Sequence, residues 1–399
     1  MTDPTRQICA RGLMLWAAIT LAAMPTDTSA QSSRARPRAE ARIVYVGTYT
    51  APDVAPGGSE PSTAEGIYVF EMDPRSGQLT QRQVVPVSNP SFLALTATHL
   101  YCVDEDGVGQ LSSFGIALDG TLTAGNSVPS EGAAPTHISV HPSGNYVLAA
   151  NYGTGNVRVV RIAADGSLGQ MTDLFQSQSN GTGANQFRQD AAHAHQVLTD
   201  PAAQRVFVVD LGADRVNVLN FDPAGGVLTP NEVPFASLAS GSGPRHMVFH
   251  PSLPRAYVLS ELTSTITVFQ YDAARGSMIW LQTISTLPSR FSGDNTAGEI
   301  RIHPEGRFLY STNRGHDSVA LFEIDETTGK LESNGWESSG GQWPRGMNID
   351  PSGSFLYVAN QNTNNIVVFR IQRGGRLSES ARVDTPTPVD IEFGAVIRR

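Results

Sequence analysis

A glycine-containing turn recurs seven times along this 399-residue chain, and this repeat limits the fold more than any other feature. Each turn follows a strand rich in Val and Phe, and roughly 43–60 residues separate consecutive turns. The seven glycines are Gly77, Gly120, Gly166, Gly226, Gly276, Gly329 and Gly375. A four-stranded propeller blade needs about 40–50 residues plus loops, so the spacing predicts one blade per repeat.

A second short turn, HPSG at His141 and its variants, joins the first and second strands of most repeats. Seven second strands run from Val44–Val46 to Phe355–Ala359, and seven first strands run from Ser91–Leu95 to Val389–Phe393. The chain therefore starts on a second strand and ends on a first strand. Pairing of these two strands would close a ring and remove open sheet edges. The sequence predicts an all-β, seven-bladed β-propeller with four-stranded blades over residues 42–396.

The N-terminus has the pattern of a targeting segment. Basic residues precede an apolar run of 13 residues, Gly12–Met24, and a small-residue site ends at Ala30. We interpret residues 1–30 as a Sec-type signal peptide and 31–41 as a flexible leader; an uncleaved anchor is the alternative. The mature protein is then periplasmic or secreted and free of the membrane. It keeps only Cys102, which excludes an intrachain disulfide.

The charge pattern limits the partners. A formal net charge of −9 argues against binding to nucleic acid or to an anionic membrane. We expect a monomer that binds a small molecule. An acidic surface is compatible with an anionic substrate, because a local arginine cluster can outweigh the global charge.

Strand direction separates two faces of the predicted propeller. The turns within each repeat that carry HPSG or the glycine lie on one face and are all short. The loops between second and third strands and between blades lie on the other, which we call the loop face. It holds the three long loops, Ala51–Glu65, Gln176–Ala192 and Ser289–Ala297. Long loops on a rigid scaffold commonly carry function.

Polar residues at the loop-face ends of the strands are the candidate site. They are His137, His193, His195, Arg245, His246 and Arg345 at first-strand starts, and Asp210, Glu261, Arg314 and His316 at second-strand ends. His193 and His195, two apart on a strand, are expected to point the same way, and a neutral His can act as a general base. Paired arginines can hold a carboxylate, a phosphate or an oxyanion. Asp210 and Asp214 are interpreted as structural.

Other chemistries have little support. The paired histidines with carboxylates leave metal binding open as an alternative, but hydrogen-bonded histidines are favoured, and we expect no metal and no cofactor. There is no Gly-x-Ser-x-Gly, no GxGxxG after a strand, no P-loop and no cysteine pair. His250 and His303 belong to the short turns of the opposite face and are expected to be structural.

The chain resembles the seven-bladed propeller lactonases, a family that includes propeller-type 6-phosphogluconolactonases and the fungal carboxy-muconate lactonising enzymes. The resemblance covers about Ile43 to Phe393 and rests on VYVGTYT, ANYGTGNV, HAHQV, VVDLGADRV, GPRHMVFHP, SELTSTITVF, STNRGHDSVALFEID and FLYVANQNTNNIVVF. It implies a catalytic set of His193 or His195, Arg245, Glu261 and Arg314. The family's usual Asn-Glu-Leu reads Ser-Glu-Leu here, and Glu261 itself is present.

The resemblance implies hydrolysis of a lactone, with a small-molecule lactone or anionic sugar acid as ligand. We predict that one histidine of the pair activates water, that Arg245 and Arg314 bind the anionic group and the oxyanion, and that Glu261 orients an arginine or relays a proton. His137, His246, His316 and Arg345 are predicted to bind substrate. An exported enzyme suggests an unphosphorylated sugar lactone. Muconate-type cyclisation and a non-catalytic binding propeller remain as alternatives.

Overall fold

The computed structural model describes residues 42–50 and 61–396, in which 28 strands form seven four-stranded antiparallel sheets. The predicted signal peptide, the leader and residues 51–60 of the first long loop lie outside the described residues. In the part of the chain that is described, no helix is long and apolar enough to cross a membrane. The prediction of an all-β, seven-bladed propeller is confirmed.

The strands are numbered in chain order. Blade 1 contains β1 (Arg42–Thr48), β2 (Gly66–Met72), β3 (Leu79–Pro86) and β28 (Pro388–Val396). Blade 2 contains β4 (Phe92–Leu95), β5 (His99–Asp104), β6 (Gln110–Ile116) and β7 (Leu122–Pro129). Blade 3 contains β8 (Pro135–Val140), β9 (Tyr146–Asn151), β10 (Asn156–Ile162) and β11 (Leu168–Gln176). Blade 4 contains β12 (Ala194–Thr199), β13 (Arg205–Asp210), β14 (Arg215–Asp222) and β15 (Val227–Ser237).

Blade 5 contains β16 (Pro244–Phe249), β17 (Arg255–Ser260), β18 (Thr265–Asp272) and β19 (Ser277–Ser285). Blade 6 contains β20 (Thr296–Ile302), β21 (Phe308–Arg314), β22 (Ser318–Ile324) and β23 (Leu331–Ser338). Blade 7 contains β24 (Pro344–Ile349), β25 (Phe355–Asn360), β26 (Asn365–Ile371) and β27 (Leu377–Asp384), with a 3₁₀ turn at Gln361–Thr363.

The C-terminal strand closes the ring as predicted. β28 pairs antiparallel with β1, and Val44 lies opposite Phe393 while Val46 lies opposite Ile391. First strands of neighbouring blades contact one another and surround the central channel. The buried apolar side chains fall into seven clusters, and each cluster is shared by two adjacent blades. The core therefore lies between the blades.

The seven predicted glycine turns join the third and fourth strand of each blade. All seven glycines have positive φ, between 66° and 84°. They also lie close to the preceding blade: a Cβ on Gly120 would come within 2.2 Å of Ile43, and one on Gly329 within 2.5 Å of Arg255. Glycine is therefore required both for the left-handed backbone and for the close approach.

A buried tyrosine on the second strand connects most blades to the next blade's glycine turn. The Tyr45 hydroxyl donates to the Gly120 carbonyl at 2.9 Å, and Tyr357 donates to the Gly77 carbonyl at 2.7 Å across the ring closure. The same contact is made by Tyr101, Tyr257 and Tyr310 with Gly166, Gly329 and Gly375, and by Tyr146 with Ala224. A buried carbonyl needs such a donor.

One junction uses a different donor. Blade 4 carries Phe207 where five of the other second strands carry tyrosine, and in blade 3 the tyrosine lies two residues earlier, at Tyr146. Arg205 replaces the missing hydroxyl, because its guanidinium donates to the carbonyls of Ala273 at 2.7 Å and Ala274 at 2.9 Å in the blade 5 turn. Each of the seven junctions thus contains a side-chain hydrogen bond to the turn of the next blade.

Replacing Tyr257 by phenylalanine tests the hydrogen bond between the second-strand tyrosine and the glycine turn of the next blade. The variant keeps the aromatic ring of the side chain but leaves the buried Gly329 carbonyl without its hydrogen-bond donor. We expect the unfolding free energy to fall by about 1–3 kcal/mol, measured by urea denaturation. An unchanged midpoint and slope would contradict a stabilising role for the hydroxyl.

A carboxylate cluster lies near the ring closure. Burial raises the pKa of Asp390 to about 7, and burial together with Asp390 raises the pKa of Glu392 to about 8. Arg301 opposes both shifts, and it contacts Glu299 at 3.3 Å and Glu392 at 3.9 Å. Asp390 also accepts a hydrogen bond from the Leu93 amide of blade 2 at 2.8 Å. Three carboxylates thus share one guanidinium.

This cluster predicts that stability decreases with rising pH. Both folded-state pKa values exceed the unfolded values near 4, so the folded state binds more protons and loses stability as pH rises through the folded pKa values. We expect the unfolding free energy to fall by roughly 1–2 kcal/mol between pH 7 and pH 9. The buried histidines of the channel act in the opposite sense only below about pH 6.5. Asp390→Asn should reduce this decrease in unfolding free energy, measured by urea denaturation at the two pH values. The control Glu379→Gln, on an exposed strand, should leave the decrease unchanged.

Candidate active site

A cavity of about 420 Å³ opens where the loop-face ends of the inner strands meet. Its walls are Glu105, Tyr152, Arg188, His195, Glu261, Arg314 and Arg345, with Thr136, Thr296 and Trp343 between them. The polar wall residues come from blades 2 to 7. The strand ends that were expected to converge therefore do so around one cavity.

β-Bulges position the residues that come from first strands. In blades 3, 4, 5 and 7 the pairing between first and second strand skips one residue, which is Thr136, His195, Arg245 or Arg345; blade 1 skips Val389 in the same way. A bulge leaves a residue unpaired and redirects its side chain. Thr136, His195 and Arg345 line the cavity in this way, and Arg245 reaches the side chain of Glu261.

Residues from second strands occupy one repeated position. Glu261 lies four residues after Tyr257, and the same spacing separates Arg314 from Tyr310 and Glu105 from Tyr101. The second strand ends at this residue or just before it on the loop face, where the side chain can reach the channel. Tyr49, Leu211 and Gln361 lie at the same spacing after Tyr45, Phe207 and Tyr357. In blade 3, Tyr152 directly follows the end of β9, but it lies six residues after Tyr146.

Glu261 is the centre of the charged network. Its carboxylate lies 2.8 Å from Arg188 Nη2, 2.8 Å from Arg314 Nη2 and 3.1 Å from Arg245 Nε. Burial alone would raise the pKa of Glu261, but Arg314, Arg188 and Arg245 outweigh burial and hold its pKa well below the usual range. Glu261 is therefore ionised and fully neutralised by cations.

The arginines differ in what they can touch. Arg314 lines the cavity, donates to the Ala297 carbonyl at 2.7 Å and lies under the ring of Trp343. Arg245 does not line the cavity; its guanidinium contacts Glu261, the Gly298 carbonyl and His246. Burial and the neighbouring cations lower the pKa of Arg245, but a guanidinium stays protonated in proteins. The predicted contact of Arg245 with substrate is thus indirect, through Glu261.

The two histidines of the His-Ala-His segment do not point into the same space. His195 lines the cavity, whereas His193 precedes β12, stacks on the ring of Tyr152 and has both nitrogens engaged, by the Tyr152 carbonyl at 2.9 Å and Asp190 at 3.1 Å. The expected two-residue alternation fails because His195 occupies a bulge. Burial, Arg245 and His246 lower the pKa of His195 well below 6.5, so its imidazole is neutral.

His246 and His137 lie deeper in the channel than the cavity. His246 contacts Glu299 at 3.0 Å, and its ring lies 5.1 Å from that of His195 and 5.8 Å from that of His137. His137 borders a second cavity of about 430 Å³ that also includes Arg301 and Glu392. Neither histidine lines the loop-face cavity, so neither takes the place predicted for it there.

His316 is also outside the cavity wall. Its Nδ1 lies 2.7 Å from the Ser318 hydroxyl, and its ring packs edge-on against Phe291. Of the four residues predicted to bind substrate, only Arg345 lines the cavity. Asp210 and Asp214 hold loop amides and side chains, as a structural role requires. No cluster of three or more metal-ligating His, Cys, Asp or Glu occurs in residues 42–50 and 61–396.

The sequence profile described as "Lactonase, 7-bladed beta-propeller" matches residues 43–393. The chain belongs to this lactonase family. It is 36% identical over 308 residues to a 6-phosphogluconolactonase of Bacillus subtilis, covering 76% of this chain and 83% of that protein. The prediction of a propeller lactonase enzyme is confirmed at the level of the family.

Solved structures give the same result. The chain is similar to the periplasmic gluconolactonase of Pseudomonas aeruginosa, with a TM-score of 0.82, 31% identity, and coverage of 89% of this chain and 99% of that one. A putative 6-phosphogluconolactonase from Bacteroides fragilis also has a TM-score of 0.82, with 28% identity and coverage of 90% and 100%.

Several wall residues of this lactonase-family cavity were not among the predicted site residues. Glu105 lies four residues after the buried Tyr101, so the spacing that separates Glu261 from Tyr257 would have selected it. Tyr152 has Leu148, not an aromatic residue, four positions before it, so the same spacing would not have selected it. Arg188 comes from the long loop between β11 and β12, and it donates to the Tyr152 hydroxyl at 3.1 Å as well as contacting Glu261. The loop was predicted to be functional, but it has no repeat partner that would identify Arg188.

Replacing Glu261 by glutamine tests the charged network. The change leaves three guanidinium groups without their shared carboxylate, so we expect the unfolding free energy to fall by about 3–5 kcal/mol. Sulfate should raise the melting temperature of the variant more than that of the wild type, because it supplies the missing negative charge. Glu379→Gln, which breaks an exposed pair with Arg382 at 3.1 Å, should cost at most about 1 kcal/mol. Equal losses for the two variants would contradict the network.

Proposed function

We propose that the protein hydrolyses an unphosphorylated sugar lactone of the gluconolactone type to the open-chain sugar acid. The observation that carries this proposal is a neutral histidine, His195, facing a cavity lined by several guanidinium groups. A neutral imidazole can accept a proton from water, and the arginines can stabilise the negative charge that forms on the lactone.

The charge of the site favours this reaction. Arg188, Arg245, Arg314 and Arg345 outnumber the two carboxyl groups, Glu261 and Glu105, in a chain of net charge −9. The surplus positive charge interacts weakly with a neutral lactone and strongly with an oxyanion or a carboxylate. Interactions that strengthen from substrate to transition state are those that accelerate a reaction.

In the proposed mechanism, His195 takes a proton from a water molecule as the water oxygen bonds to the lactone carbonyl carbon. Arg314 and Arg345 stabilise the resulting oxyanion, because their side chains line the cavity. Arg245 acts through Glu261 and keeps that carboxylate in place. Collapse of the tetrahedral intermediate breaks the bond to the ring oxygen, and the product is a hydroxy acid that ionises to its carboxylate.

The choice of an unphosphorylated lactone rests on export. The N-terminal sequence predicts a signal peptide, and a periplasmic relative with 31% identity is named a gluconolactonase. A relative with 36% identity is instead named a 6-phosphogluconolactonase. The two substrates differ by one phosphate, so a direct comparison distinguishes them.

The first experiment measures turnover of δ-gluconolactone and of its 6-phosphate by the mature protein, with spontaneous hydrolysis subtracted. We expect turnover of δ-gluconolactone, unchanged by a chelator. Turnover of the phosphorylated lactone alone would reject the choice of substrate. No turnover of any lactone, or closure of a muconate-type dicarboxylate instead, would reject the proposed function.

The pair His195→Ala and His193→Ala tests the assignment of the base. A positioned general base contributes about 10²–10⁴-fold, so His195→Ala should lower kcat by at least about 100-fold. His193→Ala should change kcat by less than about tenfold, because both of its nitrogens are engaged away from the cavity. A larger loss of kcat in the His193 variant than in the His195 variant would reverse the assignment.

A further inference from the structure

Glu105 is a second carboxyl group in the cavity, and its surroundings differ from those of Glu261. It follows β5 in blade 2, is 7% exposed and lines the same cavity as His195. Among the described residues it forms no ion pair, whereas Glu261 forms three. One cavity therefore contains a carboxylate surrounded by cations and a carboxyl group without a direct cation.

Tyr49 connects Glu105 to the nearest arginine. Arg345 Nη2 donates to the Tyr49 hydroxyl oxygen at 2.5 Å, and its guanidinium also lies over the tyrosine ring. Since that oxygen accepts from Arg345, the tyrosine proton points to Glu105 Oε2, at 2.9 Å. Oε2 is thus held as an acceptor, and a proton on this carboxyl group belongs on Oε1.

We infer that Glu105 is a catalytic acid in this cavity, which delivers a proton to the lactone ring oxygen as that oxygen leaves. This inference rests on the proposed function, because it assigns the second proton transfer of the same hydrolysis. Tyr49 is a positioning residue, since it acts on the substrate only through Glu105. The assignment adds a carboxyl group to the histidine, arginines and Glu261 already described.

The bond between the carbonyl carbon and the ring oxygen breaks, its electron pair goes to the oxygen, and the proton of Glu105 forms the new hydroxyl group. His195, protonated by the attacking water, returns its proton to the Glu105 carboxylate through water. The sum is lactone plus water giving hydroxy acid, and no other reactant is required.

Electrostatics supports an acid at this position. Burial raises the pKa of Glu105; Arg345, the hydrogen bonds of Ser91 and Tyr49, and Arg245 oppose the shift without cancelling it. Burial also raises the pKa of Glu261, but there the three guanidiniums reverse the shift. Two carboxyl groups whose surroundings separate their pKa values are a common arrangement for an acid and a permanently charged partner.

The test uses the leaving group of the substrate. Glu105→Gln removes the transferable proton and preserves the shape of the side chain. We expect kcat on δ-gluconolactone, whose leaving group is an aliphatic alcohol, to fall by about 100-fold. On dihydrocoumarin, whose leaving group is a phenol with a pKa near 10, the fall should be less than about tenfold, because a phenolate leaves without a proton. Equal losses on the two lactones would assign Glu105 a structural role.

The pH–rate profile gives a second measurement that needs only δ-gluconolactone. The wild type should lose activity on the alkaline side as Glu105 ionises, among its charged and titratable neighbours Tyr49, Arg345 and Arg245. Glu105→Gln should lack this alkaline limb. Tyr49→Phe should keep the limb but shift it, because the hydroxyl that orients the carboxyl group is gone. An unchanged limb in Glu105→Gln would overturn the inference.

The outcomes separate the two proposals. A wild-type protein without lactonase activity rejects the proposed function. An active wild type whose Glu105→Gln variant stays within tenfold on δ-gluconolactone rejects only the role of Glu105. If the wild type does not hydrolyse dihydrocoumarin, the pH–rate profile decides. Melting temperatures of both variants establish that they fold, and if Glu105→Gln does not, the profile of Tyr49→Phe provides the test.

Discussion

The hydrogen bond from each blade to the next blade's glycine turn is the interaction on which the ring depends. Each blade is a twisted sheet with its own hydrogen-bonded ladder, so nothing within a blade fixes the next one. The apolar clusters between blades stabilise the ring by burying apolar surface, but this burial is non-directional and does not fix the orientation of one blade relative to the next. A hydroxyl from a strand such as β17, donated to the Gly329 carbonyl, fixes the position of the neighbouring turn to within a hydrogen-bond length. Blade 4 keeps a bond with Arg205 although its tyrosine is absent, which indicates that the turn needs a donor more than it needs a particular residue.

The site uses the opposite ends of the same strands. The second-strand tyrosine is anchored at one face, and the residue four positions later reaches the loop face, as Tyr257 and Glu261 illustrate. First strands add a bulge at that end, which directs His195 and Arg345 toward the cavity. Each such blade thus combines regular strands, whose side chains pack between the blades, with a bulge at the start of the first strand, whose side chain points to the cavity.

The repeat allowed much of this to be predicted from the sequence. Order and count of the strands gave the ring closure by β28, and strand direction gave the face on which Glu261, Arg314 and Arg345 meet. Local departures from the repeat could not be predicted in this way. Because His195 lies in a bulge, the expectation that it points the same way as His193 was wrong. Arg188 lies in a loop that has no counterpart in the other repeats. His137 and His246 were assigned to the cavity mouth because strand positions say little about depth along a channel.

The cavity concentrates charge that a small domain would hold with difficulty. Burying a guanidinium costs several kcal/mol unless it is paired, and four arginines meet here around Glu261 and Glu105. Glu261 offsets much of that cost by contacting three of them, yet the remaining surplus cannot be neutralised without removing the attraction for an oxyanion. The seven apolar clusters between the blades together bury a large area, and that burial supports a site that is itself unfavourable. In this view Glu261 has a structural role that permits the function of its neighbours, while Glu105, spared from direct ion pairs, retains a proton that it can transfer.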